Sequence, residues 1–304
     1  MNLIHHPTTW LFVDDEPRFL ESIKAFLPKE QLAIFFDDPR EALAHLKAQD
    51  EGLFSAESRG EFDLDDAKDV VTNKDRFARV SVVIADYAMP QMTGLDMLQD
   101  VHSEFVGKIL LTGVAEEDTA AAAFNQKVID RFIKKGSADA LEQILIYAEE
   151  LQVKWMETYQ KSALPSSINN PLDDPSVARL LKEIFSKNAV TEWYLCSHPA
   201  GFYCLDQMGN SLFICAIDQK SLDRRREECR LAGCPSAFLS GETNYLSMLF
   251  DPVIESEDYD WSFNSIEIQQ VGPNYWVGIH TDPPSDINFD SEVHSFNSYL
   301  REVQ

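Results

Sequence analysis

At 304 residues the chain is long enough for two domains of ordinary size, and its 44% hydrophobic content supports buried cores. Its formal net charge is −25, and residues 165–304 carry 21 acidic against 9 basic side chains, which argues against gripping nucleic-acid phosphates. No apolar run approaches the length of a membrane span, and the opening Met-Asn-Leu-Ile-His-His-Pro lacks the pattern of a secretory signal. All five cysteines lie between 196 and 234, so the expected setting is a reducing cytoplasm rather than a disulfide framework.

In chain order, Thr9–Val13 is an apolar run that ends in Asp14-Asp15-Glu16. Pro17 suits the first turn of a helix, and Phe19, Leu20, Ile23, Phe26 and Leu27 give that helix an apolar face. Leu32–Phe36 reads as a second strand. Asp38-Pro39-Arg40-Glu41 then opens a second helix with an acidic cap. Residues 49–79 are polar and break the rhythm. They are expected to be an insertion, a solvated excursion with a short helix or a functional segment.

Within the run 80–86, four apolar residues, Val82 to Ala85, lead straight into Asp86. The run suits a strand buried on both faces, with its carboxylate at the carboxyl end. Pro90 and Gly94 mark the turn into a helix of about 95–105. Lys108–Thr112, a helix over 116–126, a strand over 129–133 and a long helix over 137–161 complete the pattern. The expected architecture is a (βα)5 doubly wound parallel sheet with helices on both faces. Right-handed crossovers then bring the strand ends to one crevice.

Those ends deliver Asp14, Asp15, Asp86, Thr112 and Lys135. Taken singly, an acid after a strand is more often a turn residue or a helix cap, and a lone Thr or Lys at a strand end carries almost no information. Together they are one residue type at each of four strand ends. Three crowded carboxylates call for a cation, and hard oxygen donors suit Mg2+. With Lys135 and the Thr112 hydroxyl on the phosphoryl oxygens, Asp86 is placed to act as a nucleophile.

With Asp14, Asp15, Asp86, Thr112 and Lys135 at its strand ends, the first half of the chain resembles the receiver domain of bacterial two-component response regulators. The matching stretches are Asp14-Asp15-Glu16, Asp86 with Met89-Pro90-Gln91-Met92-Thr93-Gly94, Leu111-Thr112-Gly113, and Phe132-Ile133-Lys134-Lys135. The resemblance covers residues 8–160 and implies a flavodoxin-like fold. It implies that Asp86 is the phosphoacceptor, and that Asp15, Asp86 and the carbonyl of Ala88 bind Mg2+, with Asp14 helping through water. It also implies that Thr112 and Phe132 switch, unless Phe132 is simply core. Lys135, three residues after Phe132, matches the family's strand-end lysine, and Lys134 would point the other way. The implied partners are a sensor histidine kinase or a phosphotransfer protein. This sequence departs from the family at Gly136, which stands where Pro is usual, and in the 49–79 insertion. Ala88 and Val114 occupy the family's two rate-tuning positions. Neither can orient an attacking water, so slow self-dephosphorylation is expected.

The domain boundaries expected are 1–160 for the receiver, 161–175 for a linker and 176–304 for the output domain. The linker holds Pro165-Ser166-Ser167 and Asn169-Asn170-Pro171. The long helix carries Trp155, Met156 and Tyr159 at its end, suited to a homodimer seam or to a partner in the same chain. Beyond the linker, a helix from Pro175, strands over 191–196, 201–206 and 211–218, and a charged helix ending before Gly233 are expected. Strands over 261–269 and 275–280 and a closing helix over 291–303 follow. This is an α+β domain around an antiparallel sheet, similar only at the level of fold class to small sensor domains of the PAS kind.

The output half matches no family signature. Cys196, His198, Cys204, Cys229 and Cys234 could bind zinc, but without paired short spacing buried thiols are favoured. Arg224-Arg225-Arg226 is expected on a solvated helix face, with an anionic ligand as the alternative. The expected function is a response regulator, not an enzyme beyond its own phosphoryl transfer, whose output acts on a downstream protein or by dimerisation. A receiver-controlled enzyme or small-ligand domain is the alternative, and DNA binding is disfavoured by charge and motif.

Overall fold

The computed structural model describes residues 1–50, 63–101, 106–113, 116–164, 169–235, 245–247, 265–281 and 289–303. In chain order the elements begin with β1 (Ile4–His5), β2 (Thr9–Val13), α1 (Pro17–Phe26), β3 (Leu32–Phe36), α2 (Pro39–Asp50) and α3 (Leu64–Thr72). They continue with β4 (Val80–Asp86), α4 (Gly94–Asp100), β5 (Gly107–Thr112), α5 (Glu117–Asn125), β6 (Arg131–Lys134) and α6 (Ala140–Ala163). The second half holds α7 (Pro175–Lys187), β7 (Val190–Cys196), β8 (Gly201–Asp206), β9 (Ser211–Asp218) and α8 (Gln219–Leu231). It closes with β10 (Tyr245–Ser247), β11 (Ser265–Val271), β12 (Tyr275–His280), α9 (Ser291–His294) and α10 (Phe296–Val303).

The described residues fall into two compact units. One takes residues 7–50 and 75–162, and the other takes residues 1–6, 63–74 and those from 163 on. The first unit is a five-stranded parallel sheet in the order β3-β2-β4-β5-β6. Every residue of β4 is buried, as a central strand covered on both faces must be. One face buries Leu11, Val83, Ala85 and Leu110 against Ala42 and Leu46 of α2, Met97 and Leu98 of α4, and Ala120 and Ala123 of α5. The other buries Trp10, Phe12, Val82, Ile84, Ile109 and Ile133 against Ile23 of α1 and Ile144, Ala148 and Leu151 of α6. Period-two alternation along each strand feeds both layers.

The second unit is a seven-stranded sheet in the order β1-β7-β8-β9-β12-β11-β10, antiparallel throughout. Asp174 caps α7 by accepting from the Ser176 N–H at 2.8 Å, and Pro175 takes the first helical position. The apolar face of α7, Val177, Leu181, Ile184 and Phe185, is buried, and the Phe185 ring lies 4.8 Å from that of Trp193. Gly233 ends the charged helix with φ +81°, in the left-handed region that Gly enters freely.

Four details differ from what the sequence predicts. Residues 1–6 and the helix of the 49–79 excursion group with the C-terminal unit rather than with the receiver. β1 pairs with β7, and the Leu195 N–H donates to the Leu3 carbonyl at 2.9 Å. α3 closes a reciprocal capping box between Asp63 and Asp66, buries Leu64, Ala67 and Val71, and donates its Leu64 N–H to the His198 carbonyl at 3.1 Å. Residues 51–62 of the excursion lie outside the described residues.

The closing helix is two helices, because Ser295 is extended and its hydroxyl accepts the Ser298 N–H at 3.1 Å to begin a new one. Trp155 and Met156 are buried, so the seam expected at the end of α6 cannot rest on them. The arginine triplet is not uniformly solvated. Arg225 shares the buried face of α8 with Leu222 and Cys229, at helical spacing, and pairs with Glu228 at 3.2 Å.

The five thiols are free and buried, and burial pushes Cys215 and Cys229 each up to about 12. No described helix is long and apolar enough to cross a membrane.

Candidate functional site

β2 and β4 are parallel neighbours, with Val13 opposite Ala85. The next residue on each strand is an aspartate, so Asp14 and Asp86 emerge side by side at the carboxyl edge. Both are buried, while Asp15 is exposed. Oxygens of Asp14, Asp15 and Asp86 lie within 4.8 Å of one another, and among the described residues this is the one cluster of three or more ligating side chains close enough to hold a metal ion.

Lys135 closes the site from the far edge of the sheet. Its main-chain N–H donates to the Thr112 carbonyl at 2.9 Å, which fixes where the side chain departs. Its ammonium lies 2.7 Å from Asp14, 3.4 Å from Asp86 and 3.8 Å from Glu16. Lys134 points elsewhere and pairs with Glu117 at 2.9 Å, as alternation along a strand requires.

Burial raises the Asp14 and Asp86 carboxyls above the ordinary carboxylate range, outweighing the Lys135 ammonium that pulls both down. Burial pushes the Lys135 ammonium down, but the hydrogen bond and charge of Asp14, with the charge of Asp86, leave it above its ordinary value. Asp14 also accepts the Glu16 N–H at 2.9 Å through Oδ1. Its Oδ2 is buried and faces the Lys135 ammonium at 2.7 Å.

The remaining predicted residues are placed as follows. The Ala88 N–H donates to Asp86 Oδ2 at 3.2 Å, tying the loop to the acid. Thr112 is fully buried, and its hydroxyl donates to the Ile133 carbonyl at a long 3.4 Å. Phe132 is 36% exposed and meets Phe124 edge to face at 6.2 Å, so it is not simply core. Val114 lies outside the described residues. At Gly136 an added Cβ would meet nothing within 4 Å.

Sequence reasoning missed two contributors. Glu16 adds a third carboxylate near Lys135, a role its place after the aspartate pair could have suggested. Phe19, which looked like one more apolar helix residue, lies with its ring 4.5 Å from the Lys135 ammonium.

Strand order and the placement of these side chains together define the receiver fold of response regulators in the N-terminal half of the chain. Over its whole length the chain is similar to the response regulator LqsR of Legionella pneumophila, with 25% identity and a TM-score of 0.76, covering 100% of this chain and 96% of that one. A CheY-like receiver domain protein from Methanospirillum hungatei is 23% identical with a TM-score of 0.34, over 49% of this chain and 98% of its own. The methanogenesis regulatory protein FilR1 of Methanothrix harundinacea is 32% identical over 93 residues, 30% of this chain. The chain spans 20% of that relative's length. No family model matches the chain.

Proposed function

We propose that the chain is a phosphorylation-controlled response regulator in which Asp86 accepts a phosphoryl group. The observation that carries this reading is the convergence of Asp14, Asp15 and Asp86 within 4.8 Å beside the Lys135 ammonium. The donor set fits Mg2+, being all hard oxygen, negatively charged and partly buried. Asp14, Asp15, Asp86 and the Ala88 carbonyl would hold it, and when bound it supplies positive charge to the phosphoryl oxygens.

The chain's own groups do the rest. An Asp86 carboxylate oxygen forms a bond to phosphorus as the bond to the leaving group breaks, and the leaving group departs with the electron pair. Lys135 turns from Asp14 toward the new phosphoryl oxygens and neutralises their charge. Thr112 exchanges its long 3.4 Å bond to the Ile133 carbonyl for one to a phosphoryl oxygen, so it gives up little. Phe132, half outward at rest, turns in behind it and alters the face formed by α5, β6 and α6.

The upstream donor is a sensor histidine kinase or a phosphotransfer protein. The acidic C-terminal unit acts on a downstream protein or through dimerisation, in the cytoplasm and without binding nucleic acid. A groove of about 590 Å³ beside α7, lined by Leu180, Ile184, Val277 and Ile279 with Glu267, supports a second reading, a small-ligand output. Its single acid gives it none of the convergent carboxylates an enzyme of the hydrolytic kind needs.

Intact-mass measurement after incubation with acetyl phosphate and Mg2+ tests the main reading. Wild-type protein should gain one phosphoryl group and Asp86→Ala none. No gain by the wild type, or equal gain by both, sinks it. Capture of a partner by the beryllofluoride-treated protein, compared with Asp86→Ala, tests the output.

A further inference from the structure

We propose that Phe19 is a positioning residue for Lys135, holding the ammonium in reach of the phosphoryl oxygens through the face of its ring. This rests on the phosphoacceptor reading of Asp86. The ring centroid lies 4.5 Å from the ammonium, inside the range of cation–π attraction. Phe19 is well anchored for the task. It sits in the first turn of α1, its N–H donates to the Glu16 carbonyl at 3.0 Å, and its side chain packs against the core layer of Trp10, Phe12 and Ile23.

The ammonium has carboxylates at Asp14, Asp86 and Glu16 and an aromatic face as its further neighbour. Two of those carboxylates, Asp14 and Asp86, the nearer to the ammonium, are also groups that a divalent cation claims. Once they are engaged, their pull on Lys135 weakens, and a long flexible side chain is free to leave. The ring attracts the ammonium without adding negative charge, so it does not compete for the metal. It therefore keeps its hold in the state that reacts. An aliphatic residue of similar bulk fills the same space and lacks the quadrupole.

The test compares wild type with Phe19→Leu and Phe19→Tyr. In metal-free protein with labelled lysine, assigned through Lys135→Arg, the Lys135 Hε protons should show an upfield ring-current shift in wild type and Tyr that the Leu variant loses. Phosphorylation by acetyl phosphate should slow about two- to fivefold in the Leu variant. The Tyr variant should restore the rate, and the Mg2+ dissociation constant should be the same in all three. A lost shift with an unchanged rate overturns the positioning role. A slowed rate that Tyr does not restore, or that follows the thermal midpoint, assigns the effect to packing and also overturns it. A wild-type protein that takes no phosphoryl group overturns the phosphoacceptor reading itself, a failure the metal-free shifts do not share.

Discussion

Gly94 starts its helix directly against the strand residue proposed as the phosphoacceptor: a Cβ there would overlap the main-chain carbonyl oxygen of Asp86. The Gly94 N–H donates to the Tyr87 carbonyl at 3.0 Å, and Thr93 caps the helix by accepting the Asp96 N–H at 3.1 Å. The Asp86 loop is thus fastened at both ends. Gly94→Ala must displace either α4 or the end of β4. We expect a loss of about 1–3 kcal/mol in urea unfolding. Slower phosphoryl uptake should accompany it, since the strain falls on the Asp86 backbone. A variant as stable and as readily phosphorylated as wild type would refute the contact.

Lys135 should affect metal binding and phosphoryl transfer in opposite directions. Its ammonium lies 2.7 Å from Asp14 and 3.4 Å from Asp86, and it would compete for the carboxylates proposed to bind Mg2+. Lys135→Met removes that positive charge, so Mg2+ affinity measured by calorimetry should rise, roughly tenfold by Coulomb's law at high effective dielectric. Phosphorylation from acetyl phosphate should fall by roughly a hundredfold, because the phosphoryl oxygens lose their counter-charge. Parallel loss of both would mean that Lys135 only holds the site together.

The phosphorylated state should be long-lived. Ala88 follows Asp86 by two residues and offers only a methyl group, with its N–H engaged by Asp86 at 3.2 Å. A methyl group at that position cannot orient a water for attack on phosphorus. Labelled protein in Mg2+ should keep its phosphoryl group for minutes or longer, and Ala88→Asn should shorten that lifetime. Loss within seconds in the wild type would contradict the assignment.

The receiver was legible because its strands are apolar runs closed by turn residues: Leu32–Phe36 and Val80–Asp86 fold over the ranges the sequence gives. Asp14, Asp86 and Lys135 were legible as a set because parallel strands deliver their last residues to one edge. What was hidden depends on contacts distant in sequence. Ile4–His5 is too short to show a period, and its partner strand begins at Val190. Leu64, Ala67 and Val71 form one apolar stripe in a nine-residue helix, too little to stand out in an acidic excursion. Phe19 packs against the core layer and also meets the Lys135 ammonium, and helical periodicity shows only the first of these.

The N-terminal strand should make stability pH-dependent. His5 stacks on Trp193 with ring centroids 4.3 Å apart, and burial lowers its pKa from the ordinary 6.5 to about 4. The folded protein therefore resists protonation that the unfolded chain accepts. Between pH 6.5 and about 4 the unfolded state binds more protons, so stability falls as pH falls and is unaffected by His5 above that window. Because the ring is not wholly enclosed, the contribution should be about 1–2 kcal/mol rather than the full shift. His5→Phe keeps the stacking and removes the titration. Urea unfolding at pH 7 should be similar for both proteins, and at pH 4.5 the variant should be the more stable. Identical pH profiles would mean that the imidazole takes up its proton without leaving Trp193.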